Sequence, residues 1–258
     1  MPVPAPDSFF RAIRLAALGA LAAVALLRLA PMPAQSPPSD PQFVRIFNGR
    51  DLTDWDGDPN LWSVEDGAIV GRRVKAERPD KGNTFLIWKG GQPKNFELRA
   101  AFRLLSNNAT GWANSGIQYR SRVVDPAHWV VRGYQADMDG SGKYVGQLYE
   151  EGFRGFLALP GQRVRITPGT GLKPHIEVLG RTAEPAAILA AIQKQGWNQY
   201  VVIAEGNHLR QYFNGILSAD VIDLDQPNAA ESGVIALQLH AGLPMTVEFK
   251  DLLLKTLP

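Results

Sequence analysis

The sequence predicts an all-β protein in which two antiparallel sheets pack as a sandwich or jelly roll, with one short helix. Three observations carry this. Short runs with alternating apolar and polar residues recur along the chain, separated by turn signals such as Asn48-Gly49, Asp66-Gly67 and Asn214-Gly215. Three such runs at close spacing, from Trp197 to Ile222, form a β-meander. Only Pro185–Gln195 reads as a helix, with Pro185 suited to a first turn and Gly196 to a stop.

The elements follow in order. Phe43–Phe47 is a short strand ended by Asn-Gly, and Trp62–Gly71 is a hairpin around Asp66-Gly67 with Trp62, Val64 and Ile69 inward. Phe85–Trp88 is an apolar strand. Phe96–Leu104 alternates, with Phe96, Leu98, Ala100, Phe102 and Leu104 on one face, as a core strand does. Gln162–Pro168 is a strand with a basic side. Gly233–His240 and Thr246–Lys255 form the closing pair. Trp55, Trp62 and Trp197 are assigned to the core. No fixed-period repeat is present.

The chain has 258 residues, 45% hydrophobic and 20% charged, in keeping with one large globular β domain over residues 43–258. It has no cysteine, which excludes a disulfide framework, a thiolate nucleophile and Cys-ligated metal. Arg11 and Arg14 precede the apolar run Leu15–Leu27, the pattern of a secretory signal over residues 1–34. An uncleaved membrane anchor is the alternative reading, and the only route to a membrane that the sequence offers. Residues 35–42, rich in Pro and Ser, read as a linker. Removing residues 1–34 leaves 24 basic against 24 acidic residues, so no basic patch points to nucleic acid. Export without cysteine fits a bacterial periplasm or cell surface.

The stretch from Trp112 to Gly155 concentrates the candidate chemistry. In Gly116–Arg120, Gln118 and Arg120 share one side of a strand; in Gly133–Asp139, Gln135, Asp137 and Asp139 share one side. Trp112, Trp129, Tyr149, Glu150, Glu151 and Arg154 surround these rows. A polar, aromatic-edged sheet face of this kind suits a sugar, and spacing alone leaves an ordinary solvated face equally open.

In its longer motifs the sequence resembles a known family. Phe47-Asn48-Gly49-Arg50-Asp51-Leu52-Thr53-Asp54-Trp55 is similar to the opening motif of the 3-keto-disaccharide hydrolase family, and Trp62–Ile69 continues it. Asn114–Arg120 and Gly133–Asp139 resemble two of its strands, and Trp197–Gly215 with Gly233–Lys255 its closing meander, so the resemblance spans about residues 43–255 in order. It implies a concanavalin-A-like jelly roll, export in bacteria, and cleavage of glycosides whose sugar is oxidised to a 3-ketone. Many relatives carry Glu where this chain has Gln135, and Gln or Asn where it has Asp137.

A 3-keto sugar has an acidic C2 proton, so a base, an enolate stabiliser and an acid suffice for β-elimination of the C1 substituent, with or without later hydration. Asp137, Asp139, Glu150 and His240 are the candidate bases. Arg120, or a divalent metal held by Asp137, Asp139 and His240, is the candidate enolate stabiliser. Asn114, Gln118, Gln135 and Gln238 suit sugar hydroxyls, with Arg154 beside them, and Trp112, Trp129 and Tyr149 suit ring faces. Two other readings stand beside this one: a non-catalytic, lectin-like carbohydrate-binding domain, and a retaining glycosidase, which needs a matched pair of carboxylates.

Overall fold

Two sheets face each other across a continuous apolar layer in the computed structural model, which describes residues 42–76 and 82–258. The signal and all of the linker but Gln42 lie outside the described residues. The larger sheet runs β12 (Lys173–Arg181), β11 (Gln162–Thr170), β15 (Ile216–Asp223), β14 (His208–Phe213), β13 (Asn198–Glu205), β6 (Phe96–Ser106), β17 (Met245–Thr256), β4 (Ala68–Arg73), β3 (Trp62–Glu65), with β1 (Val44–Arg45) on β17. The smaller runs β10 (Gly155–Ala158), β9 (Leu148–Glu151), β8 (Val130–Asp139), β7 (Asn114–Asp125), β16 (Val234–Leu239), β5 (Thr84–Trp88), β2 (Trp55–Asp56). The pairs are antiparallel, as expected, except β11 with β15, which is parallel.

Alternation sets the core. Phe96, Leu98, Ala100 and Phe102 of β6 face Tyr200, Val202 and Ala204 of the larger sheet's β13, and Ile117, Tyr119, Tyr134, Ala136 and Met138 of the smaller sheet close on them. Tyr119 and Tyr134 stack across the strand pair at 5.6 Å, and Phe102 stacks on Tyr200 at 5.5 Å. Trp55 and Trp62 are buried as expected. Trp197 is not core: it is half-buried on the outer face, where Lys250 and Arg103 lie over its ring at 4.1 and 5.0 Å. The helix α1 is Pro185–Ala190, half the expected length, and buries only Ile188. Among the described residues no helix is long and apolar enough to cross a membrane.

One irregularity decides where Arg120 points. The register of β7 on β8 shifts between Tyr119 and Arg122, and Arg120 sits at φ 46. This is a β-bulge, which breaks the period of two and re-aims the side chain. The bulge brings Ser121 against Gly133, where an added methyl would stand 2.6 Å from Ser121 Cα. Gly133→Ala therefore forces backbone apart and is expected to lower stability by about 1–3 kcal/mol, read as a lower urea midpoint with unchanged slope.

Candidate functional site

The polar face of the smaller sheet is built by register. Gln118 lies opposite Gln135 and Gly116 opposite Asp137, while Gln135 also faces Tyr149 on β9 and Gln118 faces Ala236 on β16. Because Ile117, Tyr119, Tyr134 and Ala136 are held in the core, their neighbours must point the other way. Gly116 has no side chain where Gln135 lies flat: a methyl there would meet Gln135 Cδ at 2.4 Å. The Gln118 amide lies 2.7 Å from Gln135 Oε1 and 2.8 Å from Ser121 Oγ, and Gln135 Nε2 donates to Asp137 at 3.3 Å.

Asp137 is 5% exposed and surrounded by donors: the Gln147 amide, the Met138 N–H at 3.0 Å and the Asn114 amide at 3.5 Å. Behind it the Tyr200 hydroxyl donates to its backbone carbonyl at 2.5 Å and accepts from the Gly146 N–H at 2.8 Å, so the larger sheet holds this strand in place. Burial pushes the Asp137 carboxyl up to about 7, more than the surrounding donors pull it down.

At one end of this face opens a cavity of about 820 Å³, within the range of ligand sites. Trp112, Asn83, Ser141, Glu151 and His240 line it, with Gly82, Gly111 and Gly242 on its margin. Glu151 Oε1 accepts from the Asn83 amide at 3.0 Å and Oε2 from the Gln238 amide at 3.0 Å. Burial raises its pKa against those two donors. His240 packs edge-on against Trp112 at 5.1 Å. Its Nδ1 is 2.5 Å from the Ala241 carbonyl, an acceptor, so Nδ1 carries the proton and Nε2 keeps a lone pair. Burial lowers the His240 pKa, and Arg73, which donates to the His240 carbonyl at 3.1 Å, lowers it further. Asn83 ties the two walls together: its oxygen accepts from the Ala241 N–H at 2.9 Å while its amide holds Glu151. The site thus offers a neutral imidazole lone pair and a carboxyl of raised pKa, beside an indole edge.

The structure brings Asn114, Gln118, Gln135, Asp137, Tyr149 and Gln238 to one face and puts Trp112 and His240 on the cavity wall at its end. It does not bring the others. Arg120, turned out by the bulge, donates to the carbonyls of Lys94 at 2.6 Å, Gly206 at 2.6 Å and Ala230 at 3.3 Å. Asp139 is turned into its own loop, accepting from Ser141 N–H at 2.9 Å and Tyr144 N–H at 3.0 Å. Glu150 lies on the opposite side of β9 from Glu151, in the sandwich interior with Arg154. Arg154 also binds Asp223 at 2.7 Å and Asp225 at 3.2 Å. Trp129 packs on Phe85, Ile87, Val131 and Ala236 on the far part of the face, and donates to Asp56 at 2.8 Å. Asp137, Asp139 and His240 do not converge as a ligand set, and among the described residues no three His, Asp or Glu side chains do.

Glu151, Asn83 and Gln147 are site residues that the sequence pattern does not single out as candidates. Glu151 has a recoverable signal: it shares strand parity with Tyr149, whereas Glu150 has the parity of core Leu148. Asn83 and Gln147 lie outside the strands, where no periodicity marks them.

A family model described as the 3-keto-α-glucoside-1,2-lyase-like domain matches residues 42–255. The chain belongs to that family. This agrees with the motif resemblance and places the protein among carbohydrate-active proteins. No curated protein sequence matches. Of solved structures, the fold is similar to a candidate glycosyl hydrolase from Parabacteroides distasonis, at 17% identity and TM-score 0.51, covering 83% of this chain and 99% of that one. It is also similar to the carbohydrate-binding module CBM66 from Bacillus subtilis, at 16% identity and TM-score 0.51, covering 80% and 97%. Both likenesses concern the jelly-roll sandwich alone.

The raised carboxyl of Asp137 has a stability signature. An unfolded Asp titrates near 4, whereas the folded one holds its proton to about 7. Between these values the folded state binds the extra proton, so stability falls as pH rises from about 4 to about 7 and is level above. Asp137→Asn removes that slope: urea unfolding at pH 5 and pH 7.5 should give closer midpoints in the variant than in the parent, with the variant gaining relative stability at the higher pH.

Proposed function

We propose that this protein cleaves glycosides whose sugar ring carries a ketone at C3, by removing the C2 proton and expelling the C1 oxygen. The observation that carries this is the pairing of the His240 lone pair with the Glu151 carboxyl on one cavity, in a member of this family. His240 Nε2 takes the C2 proton, and the electron pair left on C2 delocalises onto the C3 oxygen as an enolate. The enolate collapses to restore the C3 carbonyl, forms the C1–C2 double bond and breaks the bond from C1 to the leaving oxygen. Glu151 gives that oxygen its proton, a task suited to a carboxyl whose pKa burial has raised. Trp112 offers its ring to the sugar, and Asn83 and Ser141 offer polar groups to its oxygens. Water adding across the double bond completes a net hydrolysis. The ketone is what makes this pair sufficient, since an ordinary glycoside has no comparably acidic C2–H. A retaining glycosidase needs two carboxylates about 5–5.5 Å apart, and among the described lining residues Glu151 is the one carboxylate. Export through residues 1–34 to the periplasm or cell surface is part of the same reading, and mass determination of protein from a periplasmic extract checks it.

The decisive measurement compares a 3-keto-glucoside with its unoxidised parent, with and without chelator. Turnover of the oxidised substrate alone is expected, with solvent deuterium at C2 of any hydrated product. His240→Ala should lower kcat/KM by about 10²–10⁴. In the parent protein the acid limb of the pH–rate profile should lie below pH 6.5, because His240 must be neutral to act and its pKa is lowered from that value. A basic limb should follow loss of the proton that Glu151 donates, whose pKa burial raises. Glu151→Gln should slow poor leaving groups far more than activated aryl ones. Equal turnover of both substrates would overturn the elimination route, and sugar binding without turnover of either would make the domain a lectin.

A further inference from the structure

Beyond the bulge, β7 and β8 pair again with Arg122 directly opposite Arg132. Like charges in that position repel and lower stability. No carboxylate relieves them: among the described residues neither guanidinium has an ion pair or a hydrogen bond. Of the carboxylates at this end of the sandwich, Glu150, Asp223 and Asp225 are engaged by Arg154 and Glu231 by Lys94. Arg132 is held in place over the Phe153 ring, at 4.0 Å. Arg120, 2% exposed, directs its N–H groups at neutral carbonyls, and the carboxylate whose charge reaches it, Glu231, makes its ion pair with Lys94.

These three arginines border one cleft of about 330 Å³, closed on its other side by the segment from Pro227 to Ser232, with Glu150, whose carboxylate is held by Arg154, also in its wall. The Ser232 hydroxyl has no hydrogen-bond partner among the described residues. Arg132 has the strand parity of core Tyr134, so this cleft opens on the opposite side of the smaller sheet from Asp137 and the His240 cavity. The two sites share no lining residue.

We propose that this cleft binds a compact oxyanion, a phosphate or sulfate group, between Arg122 and Arg132, with the Ser232 hydroxyl as a further donor. Planar guanidinium forks match such oxygens two at a time, and an anion between the two converts their repulsion into a paired contact. Functional sites commonly hold an arrangement that is unfavourable until the ligand arrives.

The test uses the full chain in Tris chloride, following thermal unfolding at constant ionic strength as inorganic phosphate, inorganic sulfate or glucose 6-phosphate replaces chloride. The parent should show a saturable rise in Tm with phosphate or sulfate that equal chloride does not give. Arg122→Gln and Arg132→Gln should each abolish the rise. Without the oxyanion, Arg122→Gln should be at least as stable as the parent, because the repulsion is gone, and the order should reverse at saturating phosphate. A stronger effect of glucose 6-phosphate than of inorganic phosphate makes the ligand a sugar ester, and an equal effect makes it the free ion. No saturable rise in the parent, or an undiminished rise in Arg122→Gln, overturns the proposal. So does an Arg122→Gln protein less stable than the parent in chloride alone. Arg122→Gln carries the test by itself if loss of the Phe153 contact unfolds the Arg132 variant.

Discussion

The pairing of β7 with β8 is the constraint on which the rest of the site depends. Its inner row, Ile117, Tyr119, Tyr134, Ala136 and Met138, is clamped in the core, so the outer row has no freedom to exchange faces. A slip of one residue would put Gln118, Gln135 and Asp137 into the apolar layer and the tyrosines outside, a cost far beyond the stability of a domain of this size. The Tyr200 hydroxyl adds a polar pin from the opposite sheet to the Asp137 carbonyl. The Asn114 and Gln135 amides that gather on Asp137 are therefore arranged by apolar packing on the other side of the same strands.

Buried charge does the corresponding work on β9. Arg154, its side chain fully covered, is met by Glu150, Asp223 and Asp225, and Tyr134 donates to Asp223 at 2.6 Å. Such a cluster is expensive to desolvate and is weak evidence of net stabilisation, whereas losing one partner from it is costly. Its effect here is orientation. With Glu150 committed to Arg154, the next residue must turn outward, and Glu151 arrives at the cavity where the Asn83 and Gln238 amides take one carboxylate oxygen each. Two adjacent glutamates thus have unrelated environments: one neutralised by a guanidinium, the other held by neutral amides and left able to exchange a proton.

The sandwich is legible in the sequence because β6 alternates cleanly, because β7 and β8 alternate over Gly116–Tyr119 and Gly133–Met138, and because family motifs recur in order along the chain. The face is legible as far as alternation holds. Alternation fails at Arg120, since a left-handed non-glycine residue leaves no mark in the sequence, and one such residue is enough to turn a side chain out of its row. It fails at Asp139 because a carboxylate at a strand end captures the N–H groups of the following turn. Strand β12 leaves no pattern because it is largely exposed on both sides and so has no apolar stripe to find. The helix is shorter than its sequence suggests because Ala-rich sequence favours helix locally, while only Ile188 gives it anything to pack against.

The place of β17 in the larger sheet has a consequence for how the chain acquires its structure. The 12-residue strand β17 lies between β6 and β4 and also carries β1, so three strands from early in the domain find their neighbour only once its final strand is available. Until then β4 and β6 have bare backbone edges, and neither half of the sheet can close over the core. Pairing across so much sequence is slow, since the loop entropy is lost before the contacts return it. The larger sheet accordingly cannot be completed before β17 is in place between β4 and β6. The same topology makes β17 a costly strand to remove, because its loss takes the middle of a sheet instead of its edge.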